Sequence, residues 1–249
     1  MTIRAVGGWR TFAAALCAAA FAATAGVSAA EPGAGEAAAR RLAERAFVGK
    51  SIDAFRRLPD LPFYEIWIDH TLVYTDLDGK VLIIGNLLDG TTLTNLREAR
   101  IAELSAVPIQ DLPLDGAIKA VHGRGRNKLV VFADPNCPYC KRYEAELKTL
   151  DDVTIYTVMY PVLGPDSREK ARAILCAPAP EKAWRAWMDE GRAPPAPPET
   201  CQPPLDRVLA FGRKNDIGIT PTTFLANGKR LAGTMPAATL GGEIAAARR

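Results

Sequence analysis

At 249 residues, 48% of them hydrophobic, the chain has material for a buried core in one large domain or two modest ones. Its formal net charge is +3, and Arg4 and Arg10 account for most of that excess, so the rest is nearly neutral and nothing in the balance points to a nucleic-acid partner. The basic run Arg124-Gly125-Arg126-Asn127-Lys128 reads as a solvated loop before a strand.

Residues 1–30 read as an export signal: Arg4 and Arg10 in front, an apolar stretch from Phe12 to Ala23, then small residues ending at Val27-Ser28-Ala29-Ala30. Cleavage is expected just before Ala30 or Glu31. A buried N-terminal helix or an uncleaved anchor is the competing reading, but the stretch is short and alanine-rich beside the roughly 20 strongly apolar residues a span needs. Cys17 follows Leu16, a poor fit to the small residue that lipid attachment wants, and is expected to be discarded with the signal.

Glu36 to Val48 carries helix formers, with Leu42 and Phe47 among charges. Pro62 to Asp69 and Thr71 to Thr75 are rich in aromatic and β-branched residues and read as strands; the Asp78-Gly79 turn then leads to a return strand, Val81 to Ile84. This unit alone is slight, since two or three strands are marginal without a partner face. Thr94 to Leu104, with Leu96, Ile101 and Leu104 spaced among charges, predicts an amphipathic helix leading to Pro108 and Pro113. Leu129 to Ala133 is a continuous apolar run, as in a strand buried on both faces. A helix should open at Pro138 and run through Lys141 to Leu150, followed by a strand from Val153 to Met159, closing a right-handed βαβ unit. Residues 165–215 read as helical, broken by a stiff proline-rich connection from Ala193 to Pro204 for which a proline-recognition ligand is the lesser alternative. Thr222 to Ala226, the Asn227-Gly228 turn and Lys229 to Ala232 form a hairpin, and a last helix spans about Pro236 to Arg248.

The sharpest chemical signal is Cys137-Pro138-Tyr139-Cys140, directly after a buried strand and opening a helix. Unpaired N–H groups and the macrodipole at a helix start stabilise an anion, so Cys137 is the expected nucleophile. Cys140, one turn deeper on the same face and less exposed, is the expected resolving thiol. A purely structural bond across so short a loop would constrain little of the unfolded chain. Zinc would want a second closely spaced Cys or His pair, whereas His70 and His122 read as ordinary side chains; no metal and no cofactor are expected. Cys176 and Cys201 complete an even count in an exported chain, which favours two disulfide pairs. Thr220-Pro221, before a strand, is by itself only a common turn.

Together these residues resemble the bacterial periplasmic disulfide isomerases of the DsbC and DsbG type, within the thioredoxin superfamily. The resemblance runs through Leu72-Val73-Tyr74-Thr75-Asp76, Asp78-Gly79-Lys80, the following helix, the approach Phe132-Ala133-Asp134-Pro135-Asn136-Cys137, and Thr220-Pro221. It implies an α+β N-terminal dimerisation domain with a small antiparallel sheet over 31–92, a linker helix and hinge over 93–113, and an α/β thioredoxin-like catalytic domain with a helical insertion over 114–249. It implies that Thr220, Pro221, Pro138 and Tyr139 contact the substrate, with Pro221 in a cis-proline loop against the dithiol. It further implies a V-shaped homodimer in the periplasm, misfolded or misoxidised exported proteins as clients, and electrons from a membrane reductase of the DsbD type. Pro138-Tyr139 matches the DsbG-like motif, whose members reduce sulfenylated single cysteines and can act as holdases. Cys176 and Cys201 sit where DsbC-like members keep a structural disulfide, two free thiols being the alternative. A dithiol oxidase is a further reading.

Overall fold

A computed structural model of the chain describes residues 33–248, so the export-signal expectation for residues 1–30 lies outside the described residues. Two sheets organise the rest.

The first is a meander of four strands in chain order, β1 (Ile52–Arg57), β2 (Phe63–Ile68), β3 (Thr71–Asp76) and the two-residue β4 (Leu82–Ile83). Strand β1 is an addition to the sequence reading, and the return strand is shorter than Val81 to Ile84. Because side chains alternate along a strand, the sheet has two apolar faces. Ile66, Ile68 and Val73 pack on Ala43 of helix α1 (Ala34–Ala46). Trp67, Leu72 and Tyr74 point the other way, toward Ile101 and Leu104 of helix α2 (Leu96–Leu104). Asn95 caps α2, its side chain accepting the Glu98 N–H at 3.2 Å. The helix is also tied down electrostatically: Arg100 Nε meets the buried Glu65 carboxylate at 2.7 Å, Arg56 reaches the other oxygen at 3.2 Å, and Arg97 donates to the Leu72 carbonyl at 3.3 Å. Just beyond, the Val107 N–H donates to the Gly228 carbonyl at 3.0 Å, which fastens the chain to the second unit.

The second sheet has five strands in the order β5-β7-β6-β8-β9: β5 (Ile118–His122), β6 (Asn127–Ala133), β7 (Val153–Met159), β8 (Thr222–Leu225) and β9 (Arg230–Ala232). Strands β6 and β7 are parallel and joined through helix α3 (Pro138–Lys148), as the βαβ reading expects; the other neighbours are antiparallel. Leu129, Val131 and Ala133 of β6 face one core with Tyr143 and Leu147 of α3. Ala171 and Ile174 of α4 (Pro165–Leu175), Trp184 and Met188 of α5 (Pro180–Glu190), and Leu240 of α7 (Ala237–Ala246) complete it. Val130 and Phe132 face the other core, with Val208 of α6 (Leu205–Lys214) and Phe224. The continuous apolar run is therefore explained by burial on both faces. Edge strand β5 escaped the sequence reading. No described helix is long and apolar enough to cross a membrane.

Candidate active site

Cys137 is the N-cap of α3 and Pro138 occupies the first turn, where a missing N–H leaves no intrahelical bond unmade. The Cys137 Sγ accepts the Cys140 N–H at 3.2 Å, so an unpaired amide of the helix start is aimed at the sulfur. Across the chain, Thr220–Pro221 is a cis peptide bond, and the Thr220 carbonyl lies 3.4 Å from the same sulfur, within reach of the thiol proton. The structure thus brings Cys137, Cys140, Pro138, Thr220 and Pro221 to one place. Tyr139 lies over the guanidinium of Arg142, 4.5 Å from the ring centre, and is 55% exposed.

Cys137 is only 4% exposed, beside 2% for Cys140. The Thr220–Pro221 turn lies against Cys137, and the difference in depth between the two sulfurs is small. Burial pushes the Cys140 thiol well above its ordinary value, and the hydrogen bond with Cys137 pushes it the same way. Cys140 is therefore held protonated at neutral pH. Both cysteines are free thiols, while Cys176 and Cys201 are bonded to each other. That bond joins the end of α4 to the proline-rich connection, whose Pro198 and Cys201 carbonyls accept from Arg172 at 2.6 and 2.9 Å.

Several residues that hold this arrangement were given no role of their own by the sequence. Asp134 directly follows β6 and is fully buried, yet each carboxylate oxygen is doubly used: Oδ1 accepts the Asn136 N–H and the Ser167 hydroxyl, both at 2.8 Å, and Oδ2 accepts the N–H groups of Val162 and Leu163 at 2.8 and 2.9 Å. A buried carboxylate with four donors is an anchor. The rule that such a group must be satisfied could have flagged it, but not named its partners. On the far side of α3, the Tyr143 and Thr223 hydroxyls lie 3.2 Å apart, linking the helix to the strand after Pro221. No cluster of three or more His, Cys, Asp or Glu side chains suited to a metal ion occurs among the described residues.

The family description "thioredoxin-like domain" matches residues 114–247, and "disulfide bond isomerase protein N-terminal domain" matches residues 28–98. A chain of Bordetella pertussis described as "probable thiol:disulfide interchange protein DsbC" is 40% identical over 201 residues, covering 81% of this chain and 71% of its own length. This chain belongs to the DsbC family of thiol:disulfide interchange proteins. A second relative so described, from Bordetella avium, is 44% identical over 71% of this chain, and the match spans 63% of that relative's length, less than two thirds. Among solved structures, the disulfide interchange protein from Neisseria gonorrhoeae superposes with a TM-score of 0.52 at 37% identity, covering 55% of this chain and 99% of its own. The two sheets are thus the N-terminal DsbC unit and the thioredoxin-like unit of this family.

Proposed function

We propose that this DsbC-family chain is a periplasmic thiol–disulfide isomerase and reductase whose nucleophile is Cys137. The observation that carries the reading is the Cys137 sulfur at the start of α3, facing the Cys140 N–H at 3.2 Å and the Thr220 carbonyl at 3.4 Å. The thiolate of Cys137 attacks one sulfur of a misplaced client disulfide, and the other sulfur leaves as a thiolate. A client thiolate that then attacks the client sulfur of this mixed disulfide re-forms a client disulfide and returns Cys137: isomerisation, with no net change in oxidation. If Cys140 loses its proton and attacks Cys137 Sγ instead, the client leaves as a dithiol and the Cys137–Cys140 disulfide remains: reduction. The raised thiol of Cys140 slows the second route, which favours isomerisation. Thr220, Pro221 and Pro138, with the exposed Tyr139 next along the chain, would hold the client's extended backbone.

Return of the disulfide to the dithiol needs electrons, which a membrane reductase of the DsbD type would supply. The reading includes removal of residues 1–30 on export, dimerisation through 31–92, a linker over 93–113 and catalysis by 114–249. Exposed Val81, Ile83 and Ile84 at the β4 edge support a self-association surface. Replacement Cys137→Ser is expected to abolish refolding of scrambled ribonuclease, and unchanged activity would reject the assignment. The sulfenic-acid reductase reading rests on Pro138-Tyr139. Clients trapped on Cys140→Ala decide between them: several cysteines per client favour isomerisation, single cysteines favour rescue of sulfenic acids. Sedimentation of the mature chain tests the dimer.

A further inference from the structure

We propose that Lys170 is a positioning residue for Cys137, holding the backbone that leads into the nucleophile while adding positive potential beside it. This rests on the reading of Cys137 as the nucleophile. Lysine side chains normally carry their charge into water, but that of Lys170 is only 17% exposed. Its ammonium donates to Asn136 Oδ1 at 2.9 Å and to Asp166 Oδ2 at 3.0 Å, and lies 4.0 Å above the centre of the Trp187 ring. Asn136 is the residue immediately before Cys137, and its own side-chain N–H donates to Asp166 at 2.5 Å. The Trp187 indole N–H in turn donates to the Pro135 carbonyl at 2.6 Å.

Taken with the Ser167 hydroxyl on Asp134, each of the three residues preceding the nucleophile is gripped by a side chain of α4 or α5. An ordinary surface pair one helical turn apart would not need this. Lys170 and Asp166 form such a pair by spacing, and alone it would be worth little. The asymmetry of exposure decides the electrostatics. Asp166 is 74% exposed and screened by water, whereas Lys170 is sheltered, so the pair presents net positive potential to the interior. The other charges around the motif are Lys141, 5.9 Å from the same Trp187 ring, Arg142 over Tyr139, and the four-times-bonded Asp134.

A cation here favours the Cys137 thiolate and hence the dithiol over the disulfide. In the equilibrium of the Cys137–Cys140 disulfide with two reduced glutathione molecules, giving the dithiol and one glutathione disulfide, Lys170→Met is expected to lower the equilibrium constant by about threefold, the worth of one partly screened charge. The thiolate absorbance near 240 nm should rise at higher pH than in the unmodified chain, and Lys170→Arg should restore most of both. Asp166→Asn, at an exposed position and with an oxygen kept for Asn136, should move both readouts in the opposite direction by leaving the Lys170 cation without its counter-charge. Opposite signs for the two variants support the proposal. Unchanged values in both, the same direction in both, or Lys170→Arg failing as Lys170→Met does, would overturn it. Exchange by the unmodified chain and its loss in Cys137→Ser, run alongside, report on the catalytic reading itself, so failure of one is distinguishable from failure of the other.

Discussion

The two sheets solve the same burial problem differently. The five-stranded sheet is covered on both faces by helices, and Tyr139, Val162, Leu163 and Ile219, among its few exposed large apolar side chains, lie in the motif and in the loops around it. The four-stranded sheet is covered by one helix on each face, yet Val81, Ile83, Ile84, Leu88 and Leu93 remain exposed along its β4 side, and a buried carboxylate between two arginines helps to hold α2. The first arrangement gives a rigid frame in which a few donors can be aimed at one sulfur. The second gives a thin unit with an exposed apolar edge.

The largest test of this contrast is Phe132→Ala. Phe132 is fully buried against Tyr160, Phe211 and Phe224, and its truncation should cost about 3–5 kcal/mol in a denaturant titration; a loss under 1 kcal/mol would mean the frame is looser than its packing. Next is Glu65→Ala, which leaves Arg56 without its carboxylate and Arg100 with only the exposed Glu103. Because Arg56 is half exposed, the cost should be nearer 1–3 kcal/mol than the full penalty for a broken buried pair, read most directly as faster amide exchange over residues 96–104. Unchanged exchange there would show that Ile101 and Leu104 hold α2 unaided.

The smallest effect is expected at Glu144. Burial raises its carboxyl above the ordinary range, against the pull of the Trp184 indole N–H at 2.9 Å. The folded chain therefore binds its proton more tightly than the unfolded one, and this stabilising contribution, full in acid, is lost as pH rises from the unfolded carboxylate range through the raised folded value. Glu144→Gln keeps an oxygen for Trp184 and cannot ionise. It should match the parent at low pH and exceed it at pH 7 by up to about 1 kcal/mol; equal stability at both would remove the desolvation argument.

The parts of the fold that announced themselves in the sequence did so through strong local pattern. Leu129 to Ala133 must be buried on both faces to be tolerated in water, and Cys137-Pro138 carries its own helix start. Strands β1 and β5 did not, because each is an edge interrupted by charged or exposed residues: Asp53, Arg56 and Arg57 in one, Lys119 and Val121 in the other. Their pairing with β2 and β7 supplies what their composition lacks. Within the site, the dithiol was legible from its spacing at a helix start, and the Thr220-Pro221 turn only through the family resemblance. The grip of Ser167, Lys170 and Trp187 on residues 134–136 was not, since it joins positions about 30 to 50 apart through ordinary helix surfaces.

The fastening of Val107 to Gly228 bears on how the two units can move. A side chain at Gly228, already at φ 85°, would drive into the Val107 backbone, so that stitch depends on glycine. Upstream, the Ser105 and Ala106 N–H groups still belong to the end of α2. The free swivel is thereby narrowed to a few bonds around Ala106. So short a connection has almost no slack, and it limits how far the face bearing the sulfurs can travel from the thin unit.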